Sequence, residues 1–168
     1  MNFIIDQLQK NKAVFQDLLN DHNEDMVLWK QAPEKWCLLE IVCHLYDEEI
    51  HDFRFRTQWV LEQPNQAPPP IDPIGWVTKH SYTKQDYATM LKKFLFEREQ
   101  SIIWLQSLKN VNWDHSFEHS KLGTLTAKHF LTNWLAHDYL HIKQILKLKY
   151  DYLKHQSGER LDYAGIWK

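Results

Sequence analysis

His137 and His141 are four residues apart in a segment where Phe130, Trp134, Ile145 and Leu148 recur at helical spacing. Residues i and i+4 of a helix lie one above the other on the same face. Both imidazoles therefore share the apolar stripe and point toward a core, where they need polar partners. Two imidazoles at that spacing can share one metal ion; the alternative partners are Asp, Tyr or water. His44, in a separate helical pattern, is in phase with Ile41, Glu48 and Phe55 and so also faces inward. Facing helices of a bundle assemble metal sites from such inward ligands. Three neutral imidazoles would leave open positions on a divalent ion, the catalytic rather than the closed structural pattern. With no ligand carboxylate the ion keeps its full charge, which favours strong Lewis acidity near neutral pH.

The chain has ten histidines, and the others fit that arrangement less well. His51 lies two turns from His44, about 10 Å along a helix axis and too far to share its ion. His115 and His119 are also four apart, but in an irregular polar stretch where they read as exposed loop histidines. His22, in phase with Phe15 and Trp29, reads as a core histidine, and His155 falls past the expected end of its helix. Glu48 could orient His44, accept a proton or become a fourth ligand; the alternative is a salt bridge to Arg54 or another cation. Asp138 completes an H-D-x-x-H string near the zincin motif. That motif needs Glu as general base and a third ligand downstream, so a protease is not expected. Cys37 and Cys43 are about 9 Å apart along one helix, beyond disulfide reach. They read as reduced, buried residues; the alternative for Cys37 is an activated thiol at a helix N-terminus.

Four helical patterns position these residues. The first runs from about Phe3 to Trp29, and Pro33 ends it. The second runs from about Cys37 to Glu62, with Cys37 and Glu40 resembling a capping box. Five of the six prolines fall between Pro64 and Pro73, which marks a long crossover extending to Gly75. The third pattern opens after Thr83 and runs to about Leu108. Asn110 to Gly123 is irregular, with room for a short extended turn at Ser116–Leu122. The fourth opens at Thr124 or Thr126 and runs to about Leu153. The tail from Gly158 carries Leu161, Tyr163, Ile166 and Trp167, apolar enough to dock on the rest. The expected architecture is an all-α four-helix bundle with the long crossover between helices 2 and 3.

Composition bounds the rest. A chain of 168 residues with 23 aromatics and four glycines predicts one domain, residues 1–168, with 151–168 as its docking tail. Some of the aromatic weight, Phe130 and Trp134, is placed to wall a metal pocket. A net charge of −2 gives no basic footprint for nucleic acid. No apolar run is long enough to span a membrane. The start, MNFIIDQLQKNK, does not read as a signal peptide, so a cytoplasmic protein is expected.

The string WCLLEIVCHLYDEE at residues 36–49, GTLTA from Gly123 and HDYLHIKQI from His137 resemble the DinB/YfiT-like metalloenzymes. The order matches too: one inward His on helix 2, a long crossover, then HxxxH on helix 4. The resemblance covers about residues 1–150. It implies an up-down-down-up bundle, commonly a homodimer, with a divalent ion, zinc or nickel, on His44, His137 and His141. In some branches it implies transfer or isomerisation with a low-molecular-weight thiol such as bacillithiol or mycothiol. Cys37 stands where the family pattern leads one to expect Ser, which touches the helix cap and not the ligands.

Three functions compete. The first is a metal-dependent transferase that uses such a thiol on a small-molecule electrophile, with the ion deprotonating the thiol. The same site would alternatively serve a small-molecule hydrolase, with Trp76 and His80 of the crossover roofing the substrate. The second is a non-catalytic metal-binding stress or scaffold bundle. The third, nucleic-acid binding, rests on Lys147, Lys149 and Lys154 among tyrosines, which a solvated helix face explains better.

Overall fold

Local chemistry sets each break in the chain, seen in a computed structural model that describes residues 1–167. The first rod is α1 (Asn2–Asn20), and α2 (Glu24–Leu28) follows it separately. The single helix expected through Trp29 is divided because Asn23 turns extended and accepts from Met26 N at 2.9 Å, capping a new helix. The second rod joins α3 (Leu38–Asp47), a π-helical segment at Glu48–Arg54 and α4 (Phe55–Glu62). Glu40 accepts from Cys37 N at 2.9 Å, as the capping-box reading anticipates. The proline-rich crossover holds α5 (Pro73–Lys79), where Asp72 caps Gly75 N at 2.9 Å. A 3-10 turn, Tyr82–Lys84, then delays the third rod, so α6 (Tyr87–Ser107) is capped by Asp86 and not Thr83.

The extended turn is a hairpin, β1 (Ser116–His119) against β2 (Gly123–Thr126), with Phe117 opposite Leu125. Thr126 accepts from His129 N at 2.9 Å and starts α7 (Ala127–Ser157). This helix passes the expected end at Leu153, so His155 lies inside it, with its ring 5.5 Å from that of Trp29. α1 packs on α6 and α7, α3 on α6, and α4 on α7. The result is an up-down-down-up four-helix bundle. The tail docks less fully than expected: Trp167 rests on Tyr150 at 5.2 Å, but Tyr163 and Ile166 are exposed.

The bundle's interior is layered. One apolar cluster includes Phe15, Leu19, Ile41, Phe94 and Ile145, and another includes Ile5, Leu8, Phe53, Leu105 and Trp134. Between them in sequence on every rod lie polar residues: Asn11, then His44 to Glu49, then Arg98 and Ser101, then His137 to His141. Arg98 is 1% exposed and joins this layer. It forms paired 2.7 Å hydrogen bonds to Asp138, and its Nε donates to Glu49 at 3.0 Å. Asn11 donates to Asp138 and Trp134 Nε1 to Glu49, each at 3.0 Å. These partners leave few lone pairs unmet, which buried charge requires.

Removing the guanidinium strands two buried carboxylates. Arg98→Met is expected to lower stability by about 3–5 kcal/mol, read from urea unfolding midpoints. The triple variant Arg98→Met, Glu49→Gln, Asp138→Asn should recover part of that loss.

Candidate metal centre

His44 comes from α3, and His137 and His141 from α7, so two rods that face each other across the polar layer supply the cluster. The spacing of four puts His137 and His141 on one face, with ring centroids 4.3 Å apart. Their Nε2 atoms are 3.0 Å apart, and His44 Nε2 is 3.3 Å from His137 Nε2. Zinc–imidazole bonds of about 2.0–2.1 Å at tetrahedral angles would place ligand nitrogens about 3.3 Å apart. Ligand nitrogens of the three residues all lie within 4.8 Å of one another, the only such group of three His, Cys, Asp or Glu among the described residues.

The donor set fits a divalent cation better than it fits itself. One ring nitrogen carries either one hydrogen or one lone pair, so His137 Nε2 can satisfy only one of its two neighbours. Burial, then the neighbouring imidazoles, push His44 down to about 3 and His137 down to about 2. Burial lowers His141 as well, against opposing effects of Gln144 and Asp138. All three are therefore neutral at physiological pH, the form that binds metal. His44 and His141 are nearly buried and His137 is half-buried.

The surroundings differ from the sequence expectation in several places. Glu48 makes no pair with Arg54; its Oε1 is 3.8 Å from His44 Nδ1, and Arg54 pairs with Glu97 instead. Burial and the adjacent Asp52 push Glu48 well above the usual carboxylate range. It stands behind a prospective ligand, 3.8 Å from a far ring nitrogen that has no hydrogen-bond partner. Asp138 is consumed by Arg98 and Asn11, which removes it as a base. The aromatic walls are Trp36, edge-on to His44 at 4.8 Å, and Phe53, 4.9 Å from His137. Trp134 serves Glu49 instead, and Phe130 stacks on Phe117 beside the hairpin. Trp76 and His80 roof a separate cleft of about 660 Å³, whose lining includes none of the three histidines.

His22, His115, His119 and both cysteines make local structural contacts. His115 Nδ1 contacts Leu61 O at 3.0 Å and His119 Nδ1 accepts from Lys121 N and Leu122 N, so both are half-buried and not exposed. His22 Nδ1 contacts Leu19 O at 2.8 Å. Both cysteines are buried and free. Burial raises Cys37 and pushes Cys43 up to about 12, the opposite direction from an activated thiolate.

A helical bundle with three convergent imidazoles on facing rods defines a class: bundles with a donor set suited to one divalent metal ion. The chain belongs to the DinB superfamily, whose model matches residues 7–145. Among solved structures it resembles YfiT from Bacillus subtilis, with a TM-score of 0.77 and 18% identity, over 95% of this chain and 88% of that one. YfiT is described as a probable metal-dependent hydrolase with an unusual four-helix bundle topology. No curated protein sequence matches the chain. No helix among the described residues is long and apolar enough to cross a membrane.

The metal-free protein should weaken in mild acid. Below about pH 6.5 the unfolded imidazoles take up protons, whereas folded His44 and His137 stay neutral to about pH 3 and 2. The unfolded state then binds more protons, so stability falls as pH falls, by up to about 1.4 kcal/mol per unit for each histidine. Glu48 works in the opposite sense, since its folded form holds a proton that the unfolded chain releases above about pH 4.5. The net expected loss is on the order of 1 kcal/mol per unit between pH 6 and 5, with His141 adding to it and the raised Asp52 opposing it. Urea unfolding at pH 7.5, 6.0 and 5.0 with a chelator present checks it.

Proposed function

We propose that the protein is a metal-dependent hydrolase of a small molecule, with a zinc or nickel ion held by the Nε2 atoms of His44, His137 and His141. The observation that carries the reading is the convergence of those nitrogens, 3.0 and 3.3 Å from His137 Nε2, in residues that are neutral at working pH. The description of YfiT supports the choice of hydrolysis. A bound ion would supply Lewis acidity, polarising the substrate and lowering the pKa of a coordinated water.

The chain's own groups do the rest. His44, bound through Nε2, would carry its hydrogen on Nδ1, which has no hydrogen-bond partner; Glu48 at 3.8 Å is the nearest carboxyl group and would need a small shift to accept from it. Arg98 holds Asp138, and with it the turn of α7 that carries both other ligands. Around it one guanidinium faces two carboxyl groups, an arrangement that favours added positive charge nearby. Trp36 and Phe53 keep bulk water away from two of the rings. The same open position would take a low-molecular-weight thiol, the transfer chemistry that the family resemblance implies.

Elemental analysis of protein purified without a His tag should find about one divalent ion per chain. His141→Ala should weaken binding by more than about 100-fold, exceeding the loss typical of a mere outer-shell change. Full occupancy in that variant would sink the site. Zinc- and nickel-loaded protein is then assayed on p-nitrophenyl esters, and on 1-chloro-2,4-dinitrobenzene with cysteine. Turnover of the esters that disappears in His141→Ala supports hydrolysis; metal-dependent turnover only with the thiol would replace it by transfer.

A further inference from the structure

The cleft of about 660 Å³ between the second rod and the crossover contains polar groups that the metal site does not use. Asp47, 4% exposed, accepts from His80 at 2.6 Å and from the Tyr82 hydroxyl at 2.7 Å, through the same Oδ2. Burial and that bond hold Tyr82 firmly as the phenol. The turn between them is bent to reach Asp47 on both sides: Ser81 is left-handed, with φ 49°, and Gln85 pins the His80 carbonyl at 2.8 Å. With Nδ1 committed to Asp47, Nε2 is the remaining polar atom of a His80 ring that lines the cleft. The walls divide about evenly between polar and apolar surface, with Ile50, Phe55, Ile71 and Trp76 on the apolar side, and Trp76 is nearly buried. Exposed Lys79 brings an ammonium to the same cleft. The one carboxylate in the lining, Asp72, is already occupied as the cap of α5.

We infer that the Asp47–His80 pair anchors a second small-molecule site, one that takes a compact aromatic acid carrying a hydroxyl group. The volume lies in the range of small-ligand pockets, and a few convergent polar groups on apolar walls are their usual build. Each part of the ligand answers one feature. The ring packs on Trp76 and Phe55, the hydroxyl, which can donate or accept, bonds His80 Nε2, and the carboxylate meets Lys79. Asp47 and Tyr82 position His80 without touching the ligand. The site is independent of the three-histidine cluster, which contributes nothing to its lining.

The test is calorimetric titration of metal-stripped protein with 4-hydroxybenzoate, and with benzoate as the matched probe that lacks the hydroxyl. The expected result is one saturable site per chain, with benzoate about tenfold weaker because His80 Nε2 is left without a partner. His80→Phe keeps a ring but no polar atom and should make the two probes bind alike. Lys79→Met, at an exposed position that folding does not need, should weaken both by about tenfold. Reloading with zinc should leave the affinities unchanged. Absence of saturable binding, equal affinity of the two probes for the unmodified protein, or no effect of Lys79→Met would overturn the proposal. So would binding that appears only after zinc is restored, since the probe would then be held at the three histidines.

Discussion

A guanidinium with no access to water is the constraint around which this bundle is organised. Arg98 could not be buried alone, because the desolvation of one charge would far exceed any packing gain. It is buried because three other rods each bring it something. The second rod supplies Glu49, the fourth supplies Asp138, and the first supplies Asn11 to complete the Asp138 carboxylate. The rings of Phe15, Phe94 and Trp134 lie 5.5–5.9 Å from the guanidinium carbon and surround what the hydrogen bonds leave. Such knots are weak as net stabilisers but strict about geometry, since only one mutual placement of the rods satisfies every member.

The candidate metal centre inherits that strictness. Asp138 lies between His137 and His141, so holding its carboxylate in two 2.7 Å bonds fixes the turn of α7 from which both imidazoles project. Glu49 and His44 share the second rod in the same way. Rigid support behind the ligands is what keeps three nitrogens converging when no ligand bond is there to draw them together. The apolar clusters on either side make the layer dry, and dryness keeps the imidazoles neutral.

Much of this was written in spacing. The histidine pair at four residues, the inward phase of His44 and the run of prolines gave the cluster, its two rods and the crossover. Other parts were present as gaps that went unread. The stripe Leu91, Phe94, Ile102, Leu105 has a vacant step at 98, and the stripe Leu8, Phe15 has one at 11; Arg98 and Asn11 fill them. A charged residue in an apolar stripe looks like an interruption until its partners, 40 and 49 residues away, are known. The division after Asn20, the α5 turn and the half-docked tail depend on caps and contacts that periodicity does not express. Phe55 lies off the expected inward stripe for a different reason: a phase of 3.6 residues per turn does not carry through Glu48–Arg54, which does not keep that pitch.

That segment, Glu48–Arg54, has a consequence for how one rod serves two neighbours. A π-helical stretch carries extra residues per turn, so it rotates everything beyond it relative to a plain α-helix. Above it α3 lies against α6, and below it α4 lies against α7. Inward positions run 41, 44, 45, 48 and 49, then resume at 53, 57 and 60. The rod thus changes partner midway while remaining helical throughout. Insertion and deletion are therefore asymmetric events here: loss of one residue from the π stretch would restore a smooth helix and turn Thr57 and Val60 away from the core, whereas the same loss in the irregular stretch before Asp72 would shorten a loop.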